Sequence, residues 1–276
     1  MIKLGIGQLA AVVLTFGTGL SAASGAFAQS AATSDDGVAQ SDIDSAIASG
    51  ADQGTPDPWE GFNRRMFKTN TFVDHHFIAP TARAYRTVTP KSGRRGIRRF
   101  MNNLRTPGIL INDVLQGNLG RAGKTLSRFV INSTIGAGGF ADPAAELGIA
   151  YHGEDFGQTL AVWGVHSGPY LVLPFIGPST VRDAFGSGVQ IGMNPLLYVR
   201  TPPARYASYS IFTVRGISTR EQFLDPLAQI EADSLDYYSS LRSFYLQTRK
   251  REIANGKTDY SDLPDIGEYE EFDNIN

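Results

Sequence analysis

The sequence predicts a mostly α-helical fold, and two observations carry this prediction. A capping residue followed by proline, which favours the start of a helix, occurs at Asp57-Pro58, Thr89-Pro90 and Asp225-Pro226. Strand signals are sparse, because no run combines sustained apolar–polar alternation with hairpin turns; only 170–176 is compatible with an extended segment. We therefore expect helices joined by long connections rich in glycine and proline.

Apolar residues at helical spacing follow each of the three starts, and Glu60 completes a capping box with Asp57. The apolar faces are Trp59, Phe62, Met66, Val73 and Phe77 in the first helix, Ile97, Phe100, Met101 and Leu104 in the second, and Leu227, Ile230, Tyr237, Leu241 and Phe244 in the third. The third helix carries basic residues in its last turns and is expected to end near Gly256. Shorter helices are predicted at 108–117, 120–134, 155–163 and 179–190.

Composition divides the chain into four parts. Residues 1–28 are typical of an export signal, with Lys3, an apolar stretch and the small-residue cleavage site Ala26-Phe27-Ala28. Residues 29–56 contain no aromatic residue and no Lys or Arg, which predicts a disordered leader. Residues 57–256 form one body, long enough for a single core. Residues 257–276 form an acidic tail that we expect to be solvated.

The formal net charge of −2 conceals a basic region. From Asp57 to Val130 the chain has 14 Lys or Arg residues against 4 acids. This excess predicts an anionic partner, either lipid headgroups or an acidic protein surface, since nucleic acid is not expected after export. The chain contains no cysteine, which excludes disulfides, cysteine-ligated metals and an acylated cysteine.

The second predicted helix combines an apolar face with an adjacent row of basic residues. The row consists of Lys91, Arg94, Arg95, Arg98 and Arg99. A basic amphipathic helix is typical of a helix that lies in a membrane interface. A solvated helix on the surface of a globular core has the same pattern and is more common, so the pattern alone favours the surface helix.

Residues 161–176 read AVWGVHSGPYLVLPFI and are largely apolar. Pro169 and Pro174 make this stretch a poor spanning helix. It is compatible with a buried core segment or with a loop that enters lipid, and the sequence slightly favours the core segment.

Catalytic and metal-binding patterns are weak. His152, Glu154 and Asp155 are metal-ligand residue types, but they lack an HExxH frame, and a surface turn before a helix accounts for them better. Ser167 beside His166, and Ser187, both lack the G-x-S-x-G elbow of hydrolases. We therefore predict no enzyme, no metal and no cofactor.

Ordered blocks along the body carry a family resemblance. They are DPWEGFNR (57–64), NDVLQG (112–117), RFVINSTIG (128–136), EDFGQTL (154–160), WGV (163–165), GPYLVLP (168–174), GPSTVRDA (177–184) and YLQTR (245–249). In this order they are similar to the MlaA (VacJ) family of outer-membrane phospholipid-transport proteins. The chain departs from the family at one point, since many members are lipoproteins and this sequence has Ala28-Gln29 and no cysteine at the signal cleavage site.

The resemblance implies a ring-like helical body that lies in the inner leaflet of the outer membrane of a Gram-negative bacterium and encloses an amphipathic channel. It implies association with a trimeric porin and transfer of mislocalised phospholipids to a periplasmic lipid carrier, which preserves lipid asymmetry. The component itself makes and breaks no bond in the lipid.

Under this resemblance we assign candidate roles to three groups of residues. They are Trp59, Phe62 and Phe67 at the membrane interface, with Arg94, Arg95, Arg98 and Arg99 toward lipid phosphates; Tyr170, Leu171, Val172, Leu173, Phe175 and Ile176 in an embedded or channel-lining segment; and Gly136, Gly138 and Gly139 in a gating loop. Ordinary core packing or a surface loop remains an alternative for each residue, because periodicity does not distinguish a core face from a lipid face.

Two alternatives come from other functional classes. A soluble periplasmic lipid-binding protein would enclose its apolar surface within the body. A hydrolase would use Ser167 or Ser187 with His166, and it would have to lose its activity when those serines are replaced by alanine.

Overall fold

The computed structural model describes residues 55–193 and 202–254. The predicted export signal, the leader up to residue 54 and the acidic tail lie outside these ranges. Thr55 and Pro56, which we assigned to a disordered leader, are held by the body. The amide of Tyr170 donates to the carbonyl oxygen of Pro56 at 3.0 Å, and the guanidinium of Arg242 donates to that of Thr55.

The described fold is mostly helical, as predicted. In chain order the elements are α1 (Glu60–Val73), a π-helical turn (Asp74–Ile78), α2 (Ala79–Val88), α3 (Lys91–Leu115), α4 (Leu119–Thr134), a 3-10 turn (Ala137–Gly139), α5 (Pro143–Glu146), α6 (Phe156–Val162), β1 (Tyr170–Leu173), β2 (Gly177–Thr180), α7 (Val181–Gly192), α8 (Pro202–Gln222), α9 (Leu224–Asp233) and α10 (Tyr237–Ile253). Within the described ranges, no helix is both long and apolar enough to cross a membrane.

The predicted first helix begins at Glu60 rather than at Asp57, and the capping box is wrong. The carboxylate of Asp57 instead accepts hydrogen bonds from the side-chain amide of Asn63 at 2.7 Å and from the hydroxyl of Tyr238 at 2.5 Å. Glu60 pairs with Arg64 at 2.7 Å. The acid therefore ties the start of α1 to α10 instead of capping its own helix.

The predicted second helix and the predicted helix 108–117 form one continuous helix, α3, with Pro107 inside it. Proline disfavours a helical conformation in the residue before it, and α3 nevertheless continues through this position. Because α3 packs along α4 over much of its length, tertiary packing outweighs this local preference.

The third predicted helix is wrong as a single element. It divides into α9 and α10, and Asp225 lies inside α9 instead of capping it. The residue that caps a helix here is Asp236, whose carboxylate accepts from the amide of Tyr238 at 3.1 Å. The predicted apolar seam still meets across the break, because Ile230 of α9 packs with Leu241 and Phe244 of α10.

The segment that we predicted as extended forms β1, and β2 pairs with it in an antiparallel hairpin from Tyr170 opposite Thr180 to Leu173 opposite Gly177. The second strand, Gly-Pro-Ser-Thr, has no apolar alternation and gave no strand signal. Tyr170 and Val172 are buried against Tyr238 and Tyr245 of α10. The hairpin is thus part of the core.

Candidate functional site

Two asparagines of α1 hold the β-hairpin in place. The side-chain amide of Asn63 donates to the carbonyl of Tyr170 at 3.1 Å and accepts from the amide of Val172 at 2.8 Å. Asn70, two helical turns further on, bonds in the same way to Leu173 and Phe175 at 2.8 and 2.9 Å. The two side chains satisfy backbone groups that an additional strand would otherwise satisfy. They fix the hairpin turn beside the π-helical turn.

A cavity of about 130 Å³ lies beside this hairpin turn. Its apolar wall includes Phe67, Val73, Phe175, Ile176, Phe223 and Leu241, and its polar wall includes Asn70, Asp74, His75 and Arg220. This volume is below the roughly 300–1,000 Å³ of a typical small-molecule pocket. The cavity can therefore hold only part of a larger ligand such as a lipid.

The polar wall of the cavity centres on Arg220 of α8. Its guanidinium pairs with both carboxylate oxygens of Asp74 at 2.7 Å, which clamps α8 to the π-helical turn. Arg220 is only 9% exposed, and its Nη1 atom is buried without a hydrogen-bond partner among the described residues. A buried donor of a charged group that lacks a partner is costly, so this wall favours a ligand with an acceptor oxygen.

The α3–α4 hairpin, defined as residues 91–134, reverses the usual distribution of apolar and polar side chains. Its helices bury mainly polar residues: Asn103, Thr106, Asn112 and Asp113 with Met101 and Ile109 on α3, and Thr125, Arg128 and Asn132 with Ala122 on α4. Its solvent-accessible side carries two apolar stripes, Leu104, Ile111 and Leu115 on α3 and Leu119, Leu126 and Val130 on α4. The spacing of seven and then four residues places each stripe on one helix face. We call the two stripes together the apolar face.

The polar side of this hairpin is fully bonded around Asp142, which caps α5. Arg128 pairs with the carboxylate of Asp142 at 2.6 Å, and Asn132 donates to the same group at 2.9 Å. Asn132 also accepts from the amide of Ala144 at 3.1 Å. The buried side of α4 around Asp142 is therefore held by charge-assisted hydrogen bonds.

Arg94 and Arg98, two of the basic residues that we assigned to lipid phosphates, pair with an acid inside the protein. The guanidiniums of Arg94 and Arg98 lie 2.9 and 3.6 Å from the carboxylate of Glu221, which is 4% exposed. Arg86 of α2 pairs with the same carboxylate at 2.9 Å. These contacts join α2, α3 and α8, and the lipid role predicted for Arg94 and Arg98 is not supported by this geometry. Arg95 is exposed and Arg99 is half-buried, and their contact with phosphates stays a prediction.

A second pair of cations lies where α3 meets α8. Burial lowers the pKa of Arg215 to about 9, and the neighbouring charge of Arg105 acts in the same direction. Two guanidiniums close together favour an anionic neighbour.

The three aromatic residues that we assigned to the membrane interface lie in two different environments. Trp59 and Phe62 are about half exposed, and their contact with lipid stays a prediction. Phe67 instead packs edge-on against Tyr237 and Tyr238, with ring centroids 5.2 and 5.6 Å away. The structure thus places Phe67 between the core and the cavity, which corrects its assignment to the interface.

The residues that we assigned to an embedded or channel-lining segment also lie in different environments. Tyr170 and Val172 are fully buried in the core, so neither faces lipid. Leu171 and Leu173 are half-buried. Phe175 and Ile176 line the cavity, and Phe175 has a positive φ of 60° at the hairpin turn. The channel-lining role is therefore retained as a proposal for Phe175 and Ile176 alone.

The glycines that we assigned to a gating loop form a tight turn on α3. A Cβ atom at Gly139, whose φ is 101°, would lie 2.5 Å from the Cβ of Asn103, and one at Gly136 would lie 2.5 Å from the carbonyl oxygen of Asn132. The side chain of Asn103 donates to the carbonyl of Gly138 at 3.1 Å. Close approach of the backbone accounts for Gly136 and Gly139, and this packing argues against a hinge.

His152, Glu154 and Asp155 precede a helix, as predicted, but they do not form a surface turn. Asp155 does cap α6, by accepting from the amide of Gln158 at 3.0 Å. Glu154, however, is 2% exposed, and burial raises the pKa of its carboxyl group. His152 contacts Asp113 at the end of α3. The segment is therefore built into the interior.

The residues of the hydrolase alternative are not assembled. His166 is exposed, and Ser167 and Ser187 are half-buried. Within the described part of the chain, no hydrogen bond joins His166 to either serine. The geometry gives this alternative no support.

Sequence reasoning missed a buried charge centre around Arg249 of α10. Its guanidinium pairs with Asp155 at 2.6 Å, Asp183 at 3.0 Å and Glu252 at 3.0 Å. Burial alone would raise the pKa of Asp155 and of Asp183, but the charge of Arg249 outweighs it and lowers both. The centre joins α6, α7 and α10. Only the basic end of the last helix signalled Arg249, and that pattern suggested interaction with the helix dipole instead.

The other residues that sequence reasoning missed are Asn63, Asn70, Asp74, Arg220 and Glu221. Asn63 lies in a block that carried the family resemblance, but its binding to a strand required the hairpin to be known. Asp74 and Arg220 are 146 positions apart, and no local pattern connects them.

The fold and site define a mostly helical protein with an apolar face on the α3–α4 hairpin, polar side chains buried beneath that face, and a small cavity of mixed lining. The family model described as MlaA lipoprotein matches residues 55–252, which is nearly the whole described body. The chain belongs to the MlaA family.

Individual relatives agree with this membership. The chain is 38% identical over 214 residues to the intermembrane phospholipid transport system lipoprotein MlaA of Escherichia coli (strain K12), which covers 76% of this chain and 83% of that protein. It is 32% identical over 206 residues to the protein of the same name from Haemophilus influenzae, covering 73% and 80%. An uncharacterized protein of Rickettsia bellii is 34% identical over 198 residues, covering 71% and 76%.

A solved structure is also similar. It comes from work described as "Structural basis for maintenance of bacterial outer membrane lipid asymmetry" and matches with a TM-score of 0.63 and 34% identity, over 72% of this chain and 99% of that one.

Proposed function

We propose that this protein is a component of a phospholipid transport system that maintains the lipid asymmetry of the outer membrane. The observation that carries the proposal is the apolar face of the α3–α4 hairpin. Six aliphatic side chains in two parallel stripes are exposed there, while the opposite side of the same helices is polar. Exposed apolar patches of this kind mark a surface that contacts lipid or another protein.

The family supports the choice of lipid. The relatives from E. coli and H. influenzae are named as intermembrane phospholipid transport lipoproteins, and the similar structure comes from work on outer-membrane lipid asymmetry. The body would lie in the inner leaflet with the apolar face against acyl chains. Burying six half-exposed aliphatic side chains in the bilayer contributes on the order of 5 kcal/mol to the free energy of partition. This contribution would help to attach the protein to the membrane without an acylated cysteine.

The cavity supports transfer of the lipid rather than its chemical conversion. Its apolar wall suits part of an acyl chain, and the unpartnered Nη1 of Arg220 suits a phosphate or ester oxygen. Because the cavity measures about 130 Å³, a whole phospholipid would pass through it in parts or would widen it. Arg105 and Arg215 offer a further pair of positive charges for a headgroup. A trimeric porin and a periplasmic lipid carrier are the partners that we propose at either end of this path.

The proposal is tested in the native host by deleting the gene and measuring how much phospholipid on intact cells is accessible to an added phospholipase. We expect surface phospholipid to rise on deletion and to return to normal when the wild-type chain is restored. The Arg220→Gln variant, which removes the charge but keeps a polar side chain, should lower surface phospholipid only partly. The Arg65→Gln variant, a matched change at an exposed arginine of α1, should act like wild type. Unchanged surface phospholipid on deletion would contradict the proposed function.

A further inference from the structure

Three side chains that are metal ligands in many proteins converge between α3 and the segment before α6. Asp113 lies at the end of α3, and His152 and Glu154 lie two residues apart just before the N-cap of α6. The Nε2 atom of His152 is 3.0 Å from each carboxylate oxygen of Asp113. One ligand atom from each of the three residues lies within 4.8 Å of the others.

These distances are close to those of a coordination sphere. Ligand atoms that are about 2.0–2.2 Å from a zinc ion are on the order of 3.5 Å from one another. The contact between His152 and Asp113 is already at that range, and the widest pair must approach by only about 1 Å. His152 retains a rotatable side chain with 19% exposure, so the approach requires a side-chain adjustment and no change in the fold.

The neighbours of the cluster orient its carboxylates. The hydroxyl of Thr125 donates to Asp113 at 2.5 Å, and the side-chain amide of Gln116 donates to Glu154 at 2.9 Å. Such outer-sphere hydrogen bonds fix the direction of ligand groups in metal sites. Both carboxylates are buried, with Asp113 0% and Glu154 2% exposed, which distinguishes the cluster from acidic groups on a surface.

The charge of the cluster leaves room for a cation. The charged side chains described at the cluster include the carboxylates of Asp113 and Glu154, the imidazole of His152 and the guanidinium of Arg121, which is 2.9 Å from Glu154. These four groups together carry a net negative charge when both carboxylates are ionised and the imidazole is neutral. The side chain of Arg121 is 21% exposed and can turn toward solvent.

We propose that Asp113, His152 and Glu154 form a binding site for a divalent transition-metal ion of the zinc type. A nitrogen ligand together with two carboxylates favours Zn²⁺ or a similar ion over Mg²⁺ and Ca²⁺, which prefer oxygen ligands. The ion would cross-link the end of α3 to the segment before α6, across 39 positions of the chain. Its role would be to hold that segment, which leads to Asp155 and so to the Arg249 centre.

The test uses the full chain, purified in detergent and freed of metal with a chelator. Zn²⁺ is titrated in by calorimetry, and the thermal unfolding midpoint Tm is measured with and without the ion. The variants are His152→Gln and Glu154→Gln, which keep the polarity of each side chain, and the control is His166→Gln, at an exposed histidine outside the cluster. Mg²⁺ serves as the comparison ion.

We expect wild type and His166→Gln to bind one Zn²⁺ per chain with a rise in Tm, since a ligand that binds only the folded state stabilises it. Each cluster variant should bind Zn²⁺ about 100-fold more weakly, and wild type should bind Mg²⁺ far more weakly than Zn²⁺. Wild type that shows no saturable binding of one Zn²⁺ overturns the proposal. Cluster variants whose affinity stays within about tenfold of wild type also overturn it. The result does not depend on lipid transport.

Discussion

The α3–α4 hairpin buries mainly polar side chains, whereas the junction between α9 and α10 buries an apolar cluster. At this junction Ile230, Leu241 and Phe244 pack in an apolar core, and Asp225, Glu231 and Asp233 of α9 are exposed. In the hairpin, polar groups such as Asn132 face inward and aliphatic groups such as Leu126 face outward. The first arrangement is stable in water, whereas the second is suited to surroundings that are themselves apolar. This difference is the basis of the proposed contact between the α3–α4 hairpin and lipid.

The largest expected effect compares one leucine from each region. Leu241→Ala should lower the free energy of unfolding by about 2–5 kcal/mol, because it leaves a cavity in the core around α10. Leu126→Ala should change it by less than about 0.5 kcal/mol, because the side chain is 48% exposed. Chemical denaturation of both variants in detergent measures the two values. Equal losses would mean that Leu126 is buried against protein and that the comparison fails.

A second change tests the polar interior of the hairpin. Asn132→Leu adds apolar volume at a buried position and should nevertheless destabilise the protein by about 1–3 kcal/mol, because Asp142 and the amide of Ala144 lose their partner. Ser127→Leu, at an exposed position of the same helix, is the control and should be nearly neutral. A stabilised Asn132→Leu variant, measured by denaturation, would show that the hairpin has an ordinary apolar interior.

A third change tests the apolar face without disturbing the fold. Replacing Leu126 and Val130 together by Gln removes about 1 kcal/mol of partition free energy for each side chain, so binding to neutral phospholipid vesicles should fall about tenfold or more. Ser127→Gln should bind like wild type. Co-sedimentation of the purified chain with vesicles gives the partition coefficients, and unchanged binding of the double variant would place the membrane contact elsewhere.

The smallest expected effect is a dependence on pH in the α10 region. Hydrogen bonds from Arg64 lower the pKa of Asp236 to about 2 from its ordinary value of 3.8. A lowered folded-state pKa contributes stability that is present above the unfolded value and is lost as the pH falls from about 4 toward 2. Asp236→Asn should therefore reduce the loss of stability between these pH values. The side chain is 41% exposed, so solvent screening keeps the difference small.

The measurement is the unfolding midpoint of wild type and of Asp236→Asn, each at pH 6 and at pH 3. The drop between the two pH values should be smaller in the variant. Identical pH dependence in both proteins would show that the Arg64–Asp236 pair contributes nothing to it.

Local patterns predicted the helical class and most helix positions. The predicted segment 120–134 became α4, 155–163 became α6 and 179–190 became α7, because capping residues and helical spacing act within a few residues. The continuous helix through Pro107 and the break at Ser234 depend on packing between distant elements, and no local pattern encodes them.

The site was less predictable than the fold. An apolar stripe such as Leu119, Leu126 and Val130 has the same spacing whether it faces a core or a lipid, so periodicity alone left this choice open. Arg94 and Arg98 looked like free cations because their partner, Glu221, lies more than 120 positions away. Phe175 and Ile176 were candidates because the apolar run 161–176 included them, while Arg220 required the structure.

The most direct test of the account is the position of the apolar face relative to the bilayer. Because the chain contains no cysteine, a single cysteine at position 126 or, as the control, at exposed Thr69 of α1 can carry an environment-sensitive fluorophore in the vesicle-bound protein. The account predicts that quenchers attached to acyl chains quench the probe at position 126 and that aqueous iodide quenches the probe at position 69. Iodide quenching at position 126, with no quenching from the acyl chains, would contradict it.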